Sequence, residues 1–309
     1  MERINCPLCN SSRTKTIESI DTATLQRLYK TRAGVAVGRF FNTESVEEVE
    51  CDECGLKFYW PQVVGDGEFY DSLQKLDGYY LAEKDEVFHA AQSIKATDNV
   101  LEIGCGEGIF GSMVKCRSFT GLEFSDDAIE KAKRKGLKVL KQSIQEHAQH
   151  HHEEYDVVCY FQVLEHIKDP GGFIRQSLLC LKRGGKLLIA VPSEDSFINQ
   201  VSNFYLNMPP HHASKWRDQT LKKIADLNNL SVEYIYHEPL NKAHRKFYLS
   251  TIAYKRLNNL FNREQKVVDS RFSSTALHAA SVLFSFVASP LFQGKSIRGQ
   301  SVLIQFAKN

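Results

Sequence analysis

Three groups of residues in this 309-residue chain have the types and spacing to do chemistry. Cys6-Pro-Leu-Cys9 and Cys51-Asp-Glu-Cys54-Gly55 are two C-x-x-C knuckles. That spacing aims both thiolates of a pair at one ion, and four such ligands make a closed zinc site that is structural and does no chemistry. A redox dithiol, or coincidence, is the other reading of the same pairs. The second group is Gly104-Cys105-Gly106-Glu107-Gly108, entered from an apolar stretch that contains Glu102. Closely spaced glycines let a backbone turn sharply and approach a bulky ligand. Glu123 follows about twenty positions later, where an acid can accept hydrogen bonds from both hydroxyls of a ribose. The third group is Pro209-Pro210-His211-His212, with His166 further up the chain. Imidazole titrates near neutral pH and is the usual general base; a structural role, such as capping the next helix, is the alternative.

These groups need a scaffold, and the pattern of the chain supplies one. From Asn99 onward, strand-like runs alternate with helical ones: 100–103, 119–123, 138–140, 155–160 and 186–191. Two later strands, 232–236 and 301–306, bracket a helical insertion from about 240 to 293. This predicts an α/β fold whose seven-stranded sheet is parallel except for its last strand. The glycines then occupy a strand-to-helix turn. The histidine pair falls in a loop over the carboxyl ends of the strands, where open α/β sheets bind ligands. Ahead of the sheet, residues 68–97 have helical periodicity, so the expected division is a zinc-binding module at 1–67 and a larger domain at 68–309.

Composition narrows the class. The chain is 42% apolar and 25% charged with a net charge of +2, so no global basic field advertises nucleic acid. Met1-Glu2-Arg3-Ile4-Asn5-Cys6 contains no apolar signal segment, which points to the cytoplasm and to cysteines kept as thiols or metal ligands. Cys105, Cys116, Cys159 and Cys180 are expected as small core residues. The longest apolar run, Ala276 to Phe292, is interrupted by His278, serines and Pro290 and is shorter than the roughly 20 residues that cross a bilayer. It is expected as a buried helix, with a peripheral, in-plane membrane contact through 276–292 as the alternative. Oligomeric state is not readable from the sequence.

Gly106-Glu-Gly108-Ile-Phe-Gly111 fits the dinucleotide pattern G-x-G-x-x-G, so a nicotinamide cofactor has to be weighed. Glu102 speaks against it, since a dinucleotide fold keeps that strand apolar, whereas an acid suits a cofactor carrying an ammonium and a sulfonium. Glu102-Ile-Gly-Cys-Gly-Glu-Gly108, Gln162-Val-Leu-Glu165-His166 and Lys182-Arg-Gly-Gly-Lys-Leu-Leu-Ile-Ala-Val-Pro192 together resemble the motifs of class I S-adenosylmethionine (SAM)-dependent methyltransferases, over about residues 68–309. The resemblance implies a Rossmann-like methyltransferase sheet and a SAM site built from Glu102, Gly104, Cys105, Gly106, Gly108 and Gln162. Glu123 would hold the ribose with Phe124 beside it, and Ser143 and Ile144 would flank the adenine. Tyr80 would contribute from the helix before the first strand. Gln142 stands near where many relatives place an acid for the adenine amino group. His211 and His212 are the catalytic candidates; His166 is catalytic, structural or orients the cofactor.

The cysteine module beside such a domain resembles methyltransferases of sugar and surface-glycan pathways, and Cys54-Gly-Leu-Lys-Phe58, Pro61 and Phe69-Tyr70 add to that likeness. It implies a small-molecule acceptor, a sugar or glycan intermediate, with O-methylation ahead of C-methylation. Two other readings remain: an RNA methyltransferase whose zinc module grips its substrate, and a catalytically silent binding subunit.

Overall fold

The computed structural model describes residues 4–76, 85–292, 294 and 296–309. Strands β1 (Thr14–Asp21), β2 (Ser45–Cys51) and β3 (Lys57–Trp60) form an antiparallel sheet, with helix α1 (Thr22–Ala33) between the first two. Helices α2 (Gly67–Gln74) and α3 (Asp85–Ala91) lead to the larger sheet. There β4 (Asn99–Ile103), β5 (Ser118–Leu122), β6 (Lys138–Leu140), β7 (Tyr155–Phe161) and β8 (Leu181–Pro192) run parallel. Between them lie α4 (Ile109–Met113), α5 (Asp126–Arg134), α6 (Ile144–Ala148) and α7 (Pro170–Cys180). The chain ends with β9 (Ser214–Lys215), α8 (Asp218–Asn228), β10 (Leu230–Pro239), α9 (Arg245–Leu260), α10 (Phe272–Ala288) and β11 (Arg298–Lys308).

The larger sheet has the order β10-β11-β8-β7-β4-β5-β6, and β11 runs against both of its neighbours. This is the seven-stranded, Rossmann-like methyltransferase sheet that the strand pattern and the motifs predict. Val157, Val158, Cys159 and Tyr160 of β7 are all buried, because helices cover both faces and leave no side for alternation. Helix starts are written locally. Ser125 caps α5, Ser143 and Glu146 form a capping box on α6, and Asp169 with Pro170 opens α7. From β4 the sheet order continues one way to β5, and from β7 the other way to β8. The crevice at that reversal is where such folds take their ligands.

The N-terminal sheet is physically continuous with the rest. Its fourth strand is β9, which pairs Lys57 with Lys215 and Phe58 with Ser214. One apolar cluster contains Leu8, Val49, Leu56 and Phe58 together with Leu101, Val158, Ile189 and Trp216. Between the cysteine pairs, α1 runs for 12 residues, capped by Asp21 and by Gly34 in the left-handed conformation.

The apolar run near the C-terminus overturns its expectation. It is helical, but only 17% of the stretch Ser273–Leu291 is buried. Leu283, Phe284, Phe286, Val287 and Leu291 are exposed, while Ser274, Ser281 and Ser285 are buried. A soluble core helix hides its apolar side chains and shows its serines; this one does the reverse. By length and composition it is long enough to cross a membrane.

Candidate active site

The turn after β4 is shaped by three left-handed residues, Gly104 (φ +71), Gly106 (φ +53) and Gly108 (φ +73). At Gly104 a Cβ would lie 2.6 Å from Val163 Cγ2, and at Gly108 2.3 Å from Leu137 Cδ1, whereas at Gly106 it would meet open space. Two of the glycines therefore let neighbouring loops close in, and the third leaves room for a ligand. Glu123, one residue past β5, accepts from the amides of Gly106 (2.8 Å), Phe124 (2.7 Å) and Ser125 (2.9 Å). Three backbone donors fix this carboxylate above the turn, and the Phe124 ring stands exposed next to it. This geometry fits an adenosine whose ribose meets Glu123.

The other expected cofactor residues divide. Glu102 is buried within β4. Cys105 turns its side chain into an apolar cluster with Ile129, Ala132 and Val139, so only its backbone lines the turn. Burial pushes its thiol well above the usual range. Gln162 sits in the left-handed region (φ +57) and donates to Glu86 (3.1 Å) and Ser301 (3.1 Å). Ser143 commits its hydroxyl to the capping box, and Ile144 packs into the main core. Gln142, at the expected adenine-edge position, bonds His147 at 2.7 Å. Tyr80 lies outside the described residues.

The three histidines meet at the end of β7. The rings of His211 and His212 stack at 4.4 Å, and His166 meets them edge-on at 4.8 and 4.9 Å. Nδ1 of His166 lies 2.6 Å from the His211 carbonyl, and Nδ1 of His211 lies 2.7 Å from the Leu206 carbonyl. A carbonyl can only accept, so each Nδ1 carries the proton and the basic lone pair sits on Nε2. His212 Nδ1 pairs with Asn207 Oδ1 at 2.9 Å. Burial holds the pKa of both His211 and His212 well below the usual imidazole range, leaving them neutral. The His166 side chain is about one-fifth exposed, and the Glu165 carboxylate lies 3.8 Å from its Nε2. No helix is capped by either loop histidine: α8 begins after Arg217.

The sequence gives no hint of what holds this loop. Tyr29 of α1 donates to the carbonyls of Tyr205 (2.6 Å) and Met208 (2.9 Å), and Tyr59 of β3 donates to that of Asn207 (3.1 Å). The Gly65 amide reaches the Pro210 carbonyl at 2.7 Å, and the Tyr70 hydroxyl lies 3.3 Å from both His166 Nδ1 and the His211 carbonyl. A buried ion pair, Lys215 to Glu48 at 2.5 Å, fastens β9 to β2. Breaking such a pair by removing one partner costs about 3–5 kcal/mol. Nothing near these tyrosines in the sequence marks them, because their partners lie 96 to 179 residues away.

Cys6, Cys9, Cys51 and Cys54 converge, with ligand atoms all within 4.8 Å of one another. The sulfurs of Cys6 and Cys54 are 3.5 Å apart, and those of Cys9 and Cys51 3.6 Å. Tetrahedral zinc with Zn–S near 2.3 Å would separate its sulfurs by about 3.8 Å, so the quartet fits the ion. Four crowded thiols cannot all ionise without a cation among them. Among the described residues, the three histidines are the other group close enough to share an ion.

A family profile described as a methyltransferase domain matches residues 74–235, more than half of the chain. The ubiquinone biosynthesis O-methyltransferase of Citrobacter koseri is 28% identical over 155 residues, covering 42% of this chain and 64% of that protein. The Hydrogenovibrio crunogenus protein of the same name is 34% identical over 102 residues, 30% of this chain and 42% of the other. The chain thus spans less than two thirds of the length of these curated relatives. A SAM-dependent methyltransferase from Archaeoglobus fulgidus is 17% identical with a TM-score of 0.46, covering 72% of this chain and 92% of its own. For a Bacillus halodurans protein described as a putative methyltransferase the values are 15%, 0.47, 72% and 97%.

Proposed function

The chain belongs to the methyltransferase-domain family, and from that premise we propose that it transfers the methyl group of SAM to an oxygen of a small-molecule acceptor. The observation that carries the reading is convergence: the glycine turn after β4 and the histidine cluster after β7 follow the carboxyl ends of two adjacent parallel strands, at the strand-order reversal. Gly104, Gly106, Gly108 and Glu123 would hold the cofactor, which when bound supplies a methyl group on a positively charged sulfur.

The work of this chain's own residues is then alignment and proton removal. His166 takes the acceptor's hydroxyl proton at Nε2, because its Nδ1 proton is committed to the His211 carbonyl. His211 and His212 stay neutral, so a proton arriving on His166 meets no positive neighbour, and Glu165 stabilises the imidazolium. The loop histidines are positioning residues on this reading.

Relatives named for O-methylation favour an oxygen acceptor. A sugar or glycan acceptor rests on the likeness of the cysteine module alone, and we keep it as one arm of the test. Zinc is the ion we propose for the cysteines. The test is transfer of labelled methyl from SAM into three pools: hydroxylated aromatic and quinone compounds, nucleotide-activated sugars, and RNA. Label in either small-molecule pool is expected; label in RNA alone, or none in any pool with SAM bound, would overturn the reading. His166→Gln should lower turnover by roughly a hundredfold or more with SAM affinity unchanged. Retained turnover would remove His166 as the base.

A further inference from the structure

The insertion between β10 and β11 serves no purpose in the mechanism above, and its surface is built against the usual rules. In α10 the residues turned inward are Ser274, Ser281 and Ser285, while Leu283, Phe284, Phe286 and Val287 face outward, followed by Leu291. At the end of α9, Leu260 and Phe261 are exposed as well. Small inward serines let α10 lie close along α9, and Ser281 and Ser285 return their hydroxyls to the helix's own carbonyls at 2.8 and 2.7 Å. An apolar face this continuous is uncommon on soluble proteins and marks something that covers it.

Charge identifies the cover. Residues 241–298 hold ten Lys and Arg against two acids, Glu264 and Asp269, a net +8 in a chain whose total is +2. The remainder is therefore net acidic, and the basic excess is confined to the segment that bears the apolar face. Lys242, Lys246, Arg256 and Lys266 are exposed there, and the Lys246 ammonium lies 4.2 Å from the centre of the exposed Phe286 ring. Asp269 is already shared by Arg263 (3.7 Å) and Arg271 (2.5 Å). An exposed apolar face with a cation beside it, in a segment of net positive charge, is complementary to the headgroup boundary of an anionic bilayer.

We propose that α10 is an in-plane anchor that docks this chain on anionic lipid surfaces, its Leu/Phe face in the acyl boundary and its basic neighbours among the headgroups. The helix lies in the plane and does not span. Length does not decide between the two, since Ser273–Leu291 is long enough to cross; its attachment to the rest of the chain does. α10 packs against α9, which belongs to the globular body. The proposal stands apart from the methyltransferase reading, since it uses none of the residues assigned to that site.

The test is flotation of the full chain with two kinds of vesicle, phosphatidylcholine alone and phosphatidylcholine enriched in phosphatidylglycerol. Binding to the anionic vesicles is expected, with at least tenfold weaker partitioning to the neutral ones and release by high salt. Phe284→Gln with Val287→Gln, both at exposed positions, should weaken partitioning roughly tenfold or more while thermal unfolding stays unchanged. Lys246→Gln with Arg256→Gln should reduce the preference for anionic vesicles and leave SAM binding intact. Phe286→Trp should show a blue-shifted emission on anionic vesicles, quenched better by shallow than by deep lipid labels. Three results would overturn the proposal: no flotation with either vesicle, resistance to alkaline extraction as for a span, or self-association through this face that abolishes vesicle binding.

Discussion

The glycine turn and the histidine cluster both lie beyond the carboxyl ends of the central strands, yet they are held in opposite ways. The glycine turn makes itself. Its left-handed residues and its capping carboxylate come from the loops that follow β4 and β5, and from elsewhere Val163, after β7, and Leu137, before β6, close in on it. The histidine loop is made by others, through Tyr29, Tyr59, Gly65 and Tyr70, all from the N-terminal quarter of the chain. The N-terminal sheet and its helix therefore brace the histidine loop, and the cysteines lie in one apolar core with the larger sheet.

If that contrast is correct, damage to each region should have a separate signature. The largest effect is expected at the cysteines. The purified chain should carry one tightly bound zinc, and Cys54→Ser or prolonged chelation should lower the unfolding temperature of the whole chain in one transition, abolishing turnover. Two separate transitions would show that the module and the sheet fold independently. Next comes Gly104→Ala, which places a Cβ 2.6 Å from Val163 at φ +71. We expect SAM affinity to fall by roughly a hundredfold or more, read by calorimetry, with the environment of the histidine loop unchanged. The converse variant is Tyr29→Phe, which removes a buried donor from two backbone carbonyls. It should lower turnover about tenfold and stability by about 1–3 kcal/mol, with SAM affinity intact. A loss of SAM affinity in Tyr29→Phe would erase the distinction between the two regions.

The smallest predicted effect concerns pH. Glu238 of β10 is pushed up to about 7, by burial first and then by the nearby Glu86 carboxylate, against the pull of the Gln300 and Ser301 amides. Its folded pKa is raised, so between about pH 4.5 and 7 the folded chain keeps a proton that the unfolded chain has released. Stability from this group is present below that window and is lost as pH rises through it. Glu238→Gln should therefore raise the unfolding temperature at pH 8 by the equivalent of about 1 kcal/mol and change little at pH 4. His211 and His212 carry the opposite sign, since their depressed pKa values withdraw stability as pH falls below about 6.5. A Glu238→Gln variant that is no more stable than the parent at alkaline pH would leave the histidines as the dominant linked groups.

The same contrast governs what the sequence reveals. The glycine turn is legible because its geometry depends on residues next to one another, and the seven strands are legible because both faces of the parallel core demand apolar runs. The cysteine quartet is legible as two local pairs. The tyrosine braces are not, since a phenol that will bond a carbonyl more than a hundred positions away reads as any other core aromatic. Ser143, Ile144 and Gln162 sit where the motifs put them, but their side chains serve a helix cap, the core and a bond to Glu86. The outward turn of α10 escapes an inspection of apolar content alone. The placement of Ser274, Ser281 and Ser285 on one helical face, by contrast, is visible in the sequence once the question is which face is small and polar.

The pairing of β3 with β9 has a consequence for how the chain is made. Residues 57–60 are translated long before residues 214–215, an interval of roughly ten to thirty seconds at the usual pace of synthesis. Throughout that time the edge of β3 has no partner and Phe58 lacks Trp216 to pack against. Until its closing strand is made, this segment presents an open strand edge with four cysteines close by, the kind of edge that invites unwanted pairing.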